Sequence, residues 1–199
     1  MDREPFPKVD SPALQAFAHI AREFCQTVDR RASLDTDDFL GAVHILLPRL
    51  YAAGLSLPDT GVLFLDDEED EEDGQYEAPP PNPDRAGYDE WRQLYHSLQE
   101  LIGDHDSYRE VFDPYEPLTE GEVTGSLADD LADTYRDLRA GLAAWDRGDS
   151  GNALWEWRFG FECHWGEHVT GALRALHVTC STYNRGWPRD QGDRSRDES

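Results

Sequence analysis

One segment of the chain constrains the fold more than any other, because it is apolar on more than one side at helical spacing. It is Asn152–His177, NALWEWRFGFECHWGEHVTGALRALH, and it holds three of the six Trp and three of the seven His. Its apolar residues form two stripes, one with Leu154, Phe161, Trp165, Ala172 and Leu176, the other with Trp155, Phe159, Thr170, Leu173 and His177. Two such stripes indicate burial on two sides, so we predict one long central helix wrapped by others.

Four further segments have an apolar face at helical spacing together with helix-capping residues. They lie at about 11–30, 33–54, 87–102 and 126–148, and residues 104–124 are predicted to be irregular. The sequence therefore predicts an all-α, single-domain bundle of about five helices. Residues 11–183 form this domain, with a long acidic disordered loop inserted at 59–85. Residues 1–10 are predicted to be a flexible N-terminus and 184–199 a disordered tail.

The formal net charge of −24 limits the partners that such a chain can bind. Direct binding to nucleic acid is not expected, because that affinity comes from cations that neutralise phosphates. A basic protein partner fits the charge better. One run concentrates the acids: Asp66, Asp67, Glu68, Glu69, Asp70, Glu71, Glu72 and Asp73. We interpret this run as a solvated loop, or alternatively as an electrostatic attraction site for the basic partner.

Other features place the chain among cytoplasmic proteins. No apolar run approaches the length of a membrane span, and the N-terminus lacks the apolar core of a signal peptide. Three cysteines, Cys25, Cys163 and Cys180, are an odd number at wide spacing. They match neither a disulfide framework nor a zinc motif, and reduced thiols are expected.

The last two predicted helices carry the candidate site. Asp130, Asp133 and Asp137 recur at i, i+3 and i+7, and like charges at this spacing repel unless something offsets them. His164 and His168 are four residues apart, so their rings would share a helix face. Since only a short turn joins the two helices, we predict an antiparallel pair, close enough for carboxylates and imidazoles to meet.

Three interpretations of these five residues remain open. Carboxylates with two imidazoles can hold zinc, iron or manganese in a bundle core. The preferred interpretation is a buried network of Asp, His and Arg that fixes helix register. In a third, the Asp stripe faces water and the imidazoles find other partners. A divalent cation is therefore possible but not the favoured interpretation, and the sequence does not identify a cofactor.

Known catalytic motifs give little support to an enzyme. His164 to His168 spell H-x-x-E-H, the inverted zinc-peptidase pattern, but that chemistry needs a third ligand well downstream, where little but the polar tail remains. The Glu-x-x-His pairs of di-iron bundles are absent, and so is G-x-S-x-G.

Two of the helical segments carry a resemblance to a known family. SLADDLADTYRDLRAGL (Ser126–Leu142) and WEWRFGFECHWGEHVTGALRALH (Trp155–His177) resemble a bacterial domain-of-unknown-function family, number 5063, and YREVFDP (108–114) is similar to it as well. The resemblance implies a compact helical bacterial domain and no established activity. On all of these grounds we favour a non-enzymatic, acidic protein-interaction module over the alternative, a metal-dependent hydrolase.

Overall fold

The computed structural model describes residues 8–59, 85, 87–110 and 123–183. The acidic run 66–73 and the predicted tail 184–199 lie outside the described residues, as do residues 1–7 of the predicted flexible N-terminus. The predictions made for those segments therefore stay predictions.

The fold is an all-helical bundle with one small sheet, which confirms the predicted fold class. The helices are α1 (Pro12–Asp29), α2 (Thr36–Leu55), α3 (Tyr88–Ile102), α4 (Leu127–Asp146), α5 (Ser150–Cys163) and α6 (Trp165–Tyr183). The strands are β1 (Ser107–Glu110) and β2 (Val123–Ser126), and 3₁₀ turns span Arg31–Ser33 and Gly103–His105. Within the described residues, no helix is both long enough and apolar enough to cross a membrane.

Helix α4, rather than the segment Asn152–His177, occupies the centre of the bundle. It packs against α1, α3, α5 and α6. Small residues on several sides let these neighbours approach: Ala128, Ala132, Ala140, Gly141 and Ala144 are all buried. Ser126 begins the helix by accepting a hydrogen bond from the Asp129 backbone N–H, as a capping serine is expected to do.

The segment predicted to be one helix is two, because the chain breaks at His164. The backbone of His164 has φ −153° and ψ −82°, well outside the helical region. The break brings residue 166 so close to residue 161 that a Cβ on Gly166 would lie 2.2 Å from the Phe161 carbonyl oxygen. The glycine at 166 therefore permits the turn, a role that helical periodicity does not reveal.

Two short strands, a pair that we call the hairpin, lie at the described ends of the region predicted to be irregular and against the start of α4. Its strands are antiparallel, with Tyr108 opposite Gly125 and Glu110 opposite Val123. Asp106 anchors the hairpin, since its Oδ1 accepts hydrogen bonds from the Ser126 hydroxyl and the Ala128 backbone N–H. Side chains alternate along a strand, so Tyr108 and Glu110, two residues apart, share one face of β1.

Candidate metal centre

Three carboxylates of α4 are buried in the bundle. Asp130, Asp133 and Asp137 have only 4%, 7% and 5% of their surface exposed. Burying an ionised carboxylate is costly unless it gains hydrogen bonds or a counter-charge. The interpretation in which this stripe faces water is therefore wrong, and each carboxylate needs a partner.

Asp137 is paired with His164 at the junction of α5 and α6. Its Oδ2 lies 2.7 Å from the imidazole Nδ1 of His164. Its Oδ1 forms an ion pair with Arg85, and the Arg136 Nε lies 3.8 Å away. Both oxygens of this buried carboxylate thus have a partner, and one of those partners fixes the orientation of the imidazole.

Asp130 is paired in the same way with His168, one turn into α6. Its Oδ1 lies 2.9 Å from the His168 Nδ1, and its Oδ2 accepts a hydrogen bond of 2.6 Å from the Tyr108 hydroxyl. Burial and the hydrogen bond to Asp130 raise the pKa of Tyr108 far above its ordinary value, so the phenol stays protonated. The hairpin therefore supplies the donor that holds Asp130.

The charges around His168 favour its protonated form in the absence of another cation. Burial lowers the pKa of His168, but the hydrogen bond and charge of Asp130 act in the opposite sense. The charges of Asp133 and Asp129 add to them, and the net result is a pKa above the ordinary value for histidine. The site thus attracts positive charge, whether a proton or a metal ion.

The two imidazoles are neighbours, and both use the same ring nitrogen for the carboxylate. The ring centroids of His164 and His168 are 4.7 Å apart, with an angle of 73° between the planes. When Nδ1 donates its proton to a carboxylate, the neutral ring keeps its lone pair on Nε2. Both rings therefore have Nε2 left for a further ligand.

Asp133 lies beside these rings and differs from the other two carboxylates. Its Oδ2 is 4.0 Å from the His168 Nε2. Its Oδ1 forms an ion pair with Arg136. One ligand atom from each of Asp133, His164 and His168 lies within 4.8 Å of the other two.

A second group of possible ligand atoms comes from Asp129, Asp130 and His168, and these atoms also lie within 4.8 Å of one another. This group borders a cavity of about 210 Å³ that is lined in part by Glu110, Glu167 and His168. Burial and then the charge of Asp133 raise the pKa of the Asp129 carboxyl. Since Asp130 already uses Oδ1 for the His168 Nδ1, this group is the less available of the two.

The five residues singled out in the sequence come together, which the sequence could not establish. Their roles differ, however, since Asp130 and Asp137 contact Nδ1 atoms while Oδ2 of Asp133 lies 4.0 Å from Nε2 of His168. The sequence did not indicate two further residues of the site, Tyr108, which donates a hydrogen bond to Asp130, and Arg85, which forms an ion pair with Asp137. Neither carries a sequence signal of that role, because each meets its carboxylate across a long stretch of chain.

Comparisons with other proteins agree with this fold. The crystal structure of protein BF1032 from Bacteroides fragilis superimposes with a TM-score of 0.63 at 21% identity, covering 85% of this chain and 92% of that one. At this identity the likeness concerns the fold alone. No curated protein matches this chain in sequence. Residues 9–181 match the family described as Domain of unknown function (DUF5063), and the chain belongs to that family.

Proposed function

We propose that this chain binds a divalent transition metal through the Nε2 atoms of His164 and His168 and the carboxylate of Asp133. One observation carries the proposal: both imidazoles present Nδ1 to a buried carboxylate. Metal-binding histidines almost always donate their other ring N–H to such a partner, which fixes the tautomer and aims the ligand nitrogen. Asp130 and Asp137 are thus orienting residues, not ligands.

The burial of Asp133 supports the same assignment. A carboxylate that is only 7% exposed is costly to bury unless cations complete its environment. Arg136 supplies part of that charge through its ion pair. A metal ion between Asp133 and the two Nε2 atoms would supply the rest.

The donor set indicates which metals to expect. Two imidazole nitrogens and one carboxylate suit zinc or iron(II) better than calcium or magnesium, which prefer oxygen ligands. Bonds of about 2.0–2.2 Å to a tetrahedral ion place the ligand atoms closer to one another than the 4.0 Å between Oδ2 of Asp133 and Nε2 of His168. Small side-chain movements of His164, His168 and Asp133 would therefore accompany binding.

Three protein ligands leave room for water, and this suggests the reaction class. A metal ion lowers the pKa of a bound water to about 7 and so provides hydroxide near neutral pH. The cavity beside His168 would admit a small substrate. The proposed function is therefore metal-dependent hydrolysis at the site between α4 and α6.

A calorimetric titration tests the metal assignment. The full chain, treated with chelator and dialysed, is titrated with zinc and with iron(II) under anaerobic conditions. We expect one equivalent to bind, with binding lost in His164→Ala, His168→Ala and Asp133→Asn and kept in the exposed control His19→Ala. Failure to bind either metal, with all five proteins folded, would leave the polar network as the role of these residues.

A second candidate function rests on charge. We propose, as the alternative to the hydrolase, that the chain binds a basic protein through its acidic residues. The net charge of −24 and the eight consecutive acids at 66–73 support it. Because that run lies outside the described residues, this candidate draws its support from the sequence alone.

Affinity capture separates the second candidate from the first. The unaltered chain is compared with a chain whose residues 66–73 are replaced by Asn and Gln, and any captured protein is purified and titrated against both. The proposal expects salt-dependent binding that weakens when the acids are removed. Equal affinity for both chains would contradict it, and metal binding should be the same in both.

A further inference from the structure

A separate cavity of about 430 Å³ lies between α1, α3 and α4. Its buried lining residues, Leu94 and Ala132, are apolar. Arg31, Trp91 and Arg136 also line it and are partly buried. The volume lies within the range of about 300–1,000 Å³ typical of small-molecule sites.

The partly buried charged groups that line this cavity differ in sign from the net charge of the chain. The lining guanidinium groups of Arg31 and Arg136 are partly buried, whereas the lining carboxylates of Asp29 and Glu90 are exposed. Asp29 also accepts a hydrogen bond from the Tyr135 hydroxyl at 2.6 Å. The less accessible charged groups of the lining are therefore positive in a chain whose net charge is −24, and one of them, Arg136, also forms an ion pair with Asp133, which does not line the cavity.

Arg31 is held in place by its neighbours. Its Nε donates to the Ser97 hydroxyl at 2.8 Å and its Nη1 to the Val28 carbonyl at 3.1 Å. A guanidinium that is fixed in this way loses less conformational freedom when it binds a ligand.

Two buried N–H groups of the lining residues have no acceptor among the described residues. They are Nε1 of Trp91 and Nε of Arg136. Oδ1 of Asp137 is 3.8 Å from the second, beyond hydrogen-bond distance. Buried donors without acceptors cost free energy, so both N–H groups favour an acceptor at this place. Since neighbouring atoms cover both nitrogens, an acceptor would reach them by parting the side chains around them.

We propose that this cavity binds a small aromatic anion, such as a carboxylate or a phosphate ester. The anionic group contacts Arg136 and Arg31, and Arg139 adds positive charge at the exposed edge. The aromatic ring packs on Leu94 and Ala132 beside Trp91, whose own ring is stacked on Tyr95 with centroids 5.5 Å apart and 11° between planes. This site needs no metal and does not depend on the proposed hydrolase.

Three probes of one shape test the proposal by calorimetry on the chelator-treated full chain. They are 1-naphthoate, 1-naphthyl phosphate and the neutral 1-naphthamide. We expect both anions to bind and the amide to bind at least about tenfold more weakly, because it lacks the charge that the guanidinium groups recognise. Tighter binding of the phosphate or of the carboxylate would identify which anion the site prefers.

Variants locate the binding. Arg136→Gln is expected to weaken naphthoate binding about tenfold. Since Arg136 also touches Asp133, Arg139→Gln serves as a second variant away from the metal site, with a smaller loss expected. Arg92→Gln, on α3 but outside the cavity lining, is the matched control. The proposal is overturned if the amide binds as tightly as the anions, if neither anion binds, or if Arg136→Gln and Arg139→Gln bind naphthoate as Arg92→Gln does.

Discussion

His168 on α6 and Asp130 on α4 meet with 2.9 Å between Nδ1 and Oδ1, and this contact decides which imidazole nitrogen remains for a metal. The same arrangement recurs at His164 and Asp137. Two imidazoles held alike, with a third carboxylate beside them, are the basis of the proposed metal site.

Replacing Asp130 with Asn should weaken metal binding while leaving the fold intact. The amide keeps the shape of the carboxylate but not its charge, and loss of such a partner typically costs 10–100-fold in metal affinity. The pKa of His168 should also fall, since Asp130 raises it. Zinc titration and NMR titration of the imidazole measure the two effects. Asp146→Asn, an exposed change on the same helix, is the control. Equal zinc affinities in the two variants would contradict the orienting role.

The free energy of unfolding of the metal-free protein should decrease as the pH rises through the range in which folded His168 loses its proton. The folded pKa of His168 lies above its ordinary value of about 6.5, so protonation stabilises the folded state. That stabilisation is fully present below about pH 6.5 and is lost as the pH rises through the folded pKa. The carboxyl groups of Asp130, Asp133 and Asp129 face the ring, and Tyr108 stays protonated throughout.

Urea unfolding of the unaltered chain and of Asp130→Asn, both metal-free, measures this effect. The difference in free energy of unfolding between the two should shrink as the pH rises. Zinc binding should show the opposite trend and strengthen with pH, because the metal binds neutral imidazole. A difference that stays constant across the window would show that His168 is not the titrating group.

Removing the Tyr108 hydroxyl should destabilise the protein and weaken the metal site together. Tyr108→Phe leaves the buried Oδ2 of Asp130 without its donor, at a cost of about 1–3 kcal/mol. Thermal unfolding and zinc titration measure the two effects. Tyr88→Phe, at a side chain that is 70% exposed, should change neither. Unchanged zinc affinity in Tyr108→Phe would show that the hairpin does not support the metal site.

Two helical glycines should respond in opposite ways to the same substitution. A Cβ on Gly141 would lie 2.1 Å from Nε1 of Trp157, so Gly141→Ala should destabilise the α4–α5 packing by about 1–3 kcal/mol or more. A Cβ on Gly41 would meet nothing within 4 Å, so Gly41→Ala should stabilise by about 1 kcal/mol through helix propensity. Urea unfolding measures both. Stabilisation by Gly141→Ala would show that Trp157 leaves room for a methyl group, and destabilisation by Gly41→Ala would show that Gly41 has a role in the fold.

Much of the fold could be predicted from the spacing of apolar residues. The apolar face of the first predicted helix, at about 11–30, is buried in α1, where it consists of Leu14, Phe17, Ala18, Ala21, Phe24, Cys25 and Val28. The break at His164 could not be predicted in this way, because apolar periodicity continues across it. It depends on a close approach between Gly166 and the Phe161 carbonyl, which is a tertiary contact.

The sequence predicted which Asp and His residues come together in the candidate site, but not what each of them contacts. The i, i+3, i+7 spacing of Asp130, Asp133 and Asp137 placed them on one face of α4, and the short turn after α4 brought the histidines opposite. Which carboxylate faces Nδ1 and which faces Nε2 depends on side-chain rotamers, about which spacing says nothing. The contact between Tyr108 and Asp130 depends on a hairpin that the sequence did not indicate.

The most direct test of the central claim is the metal content of the protein, measured by inductively coupled plasma mass spectrometry. The protein is purified without chelator and without a metal-affinity tag, alongside a variant carrying His164→Ala and His168→Ala. The proposed site predicts close to one equivalent of zinc or iron in the unaltered chain and its loss in the variant. Absence of metal from the unaltered chain, even after incubation with zinc, manganese and iron(II), would contradict the claim and leave Asp130, Asp137 and the two histidines as a network that holds α4 against α6.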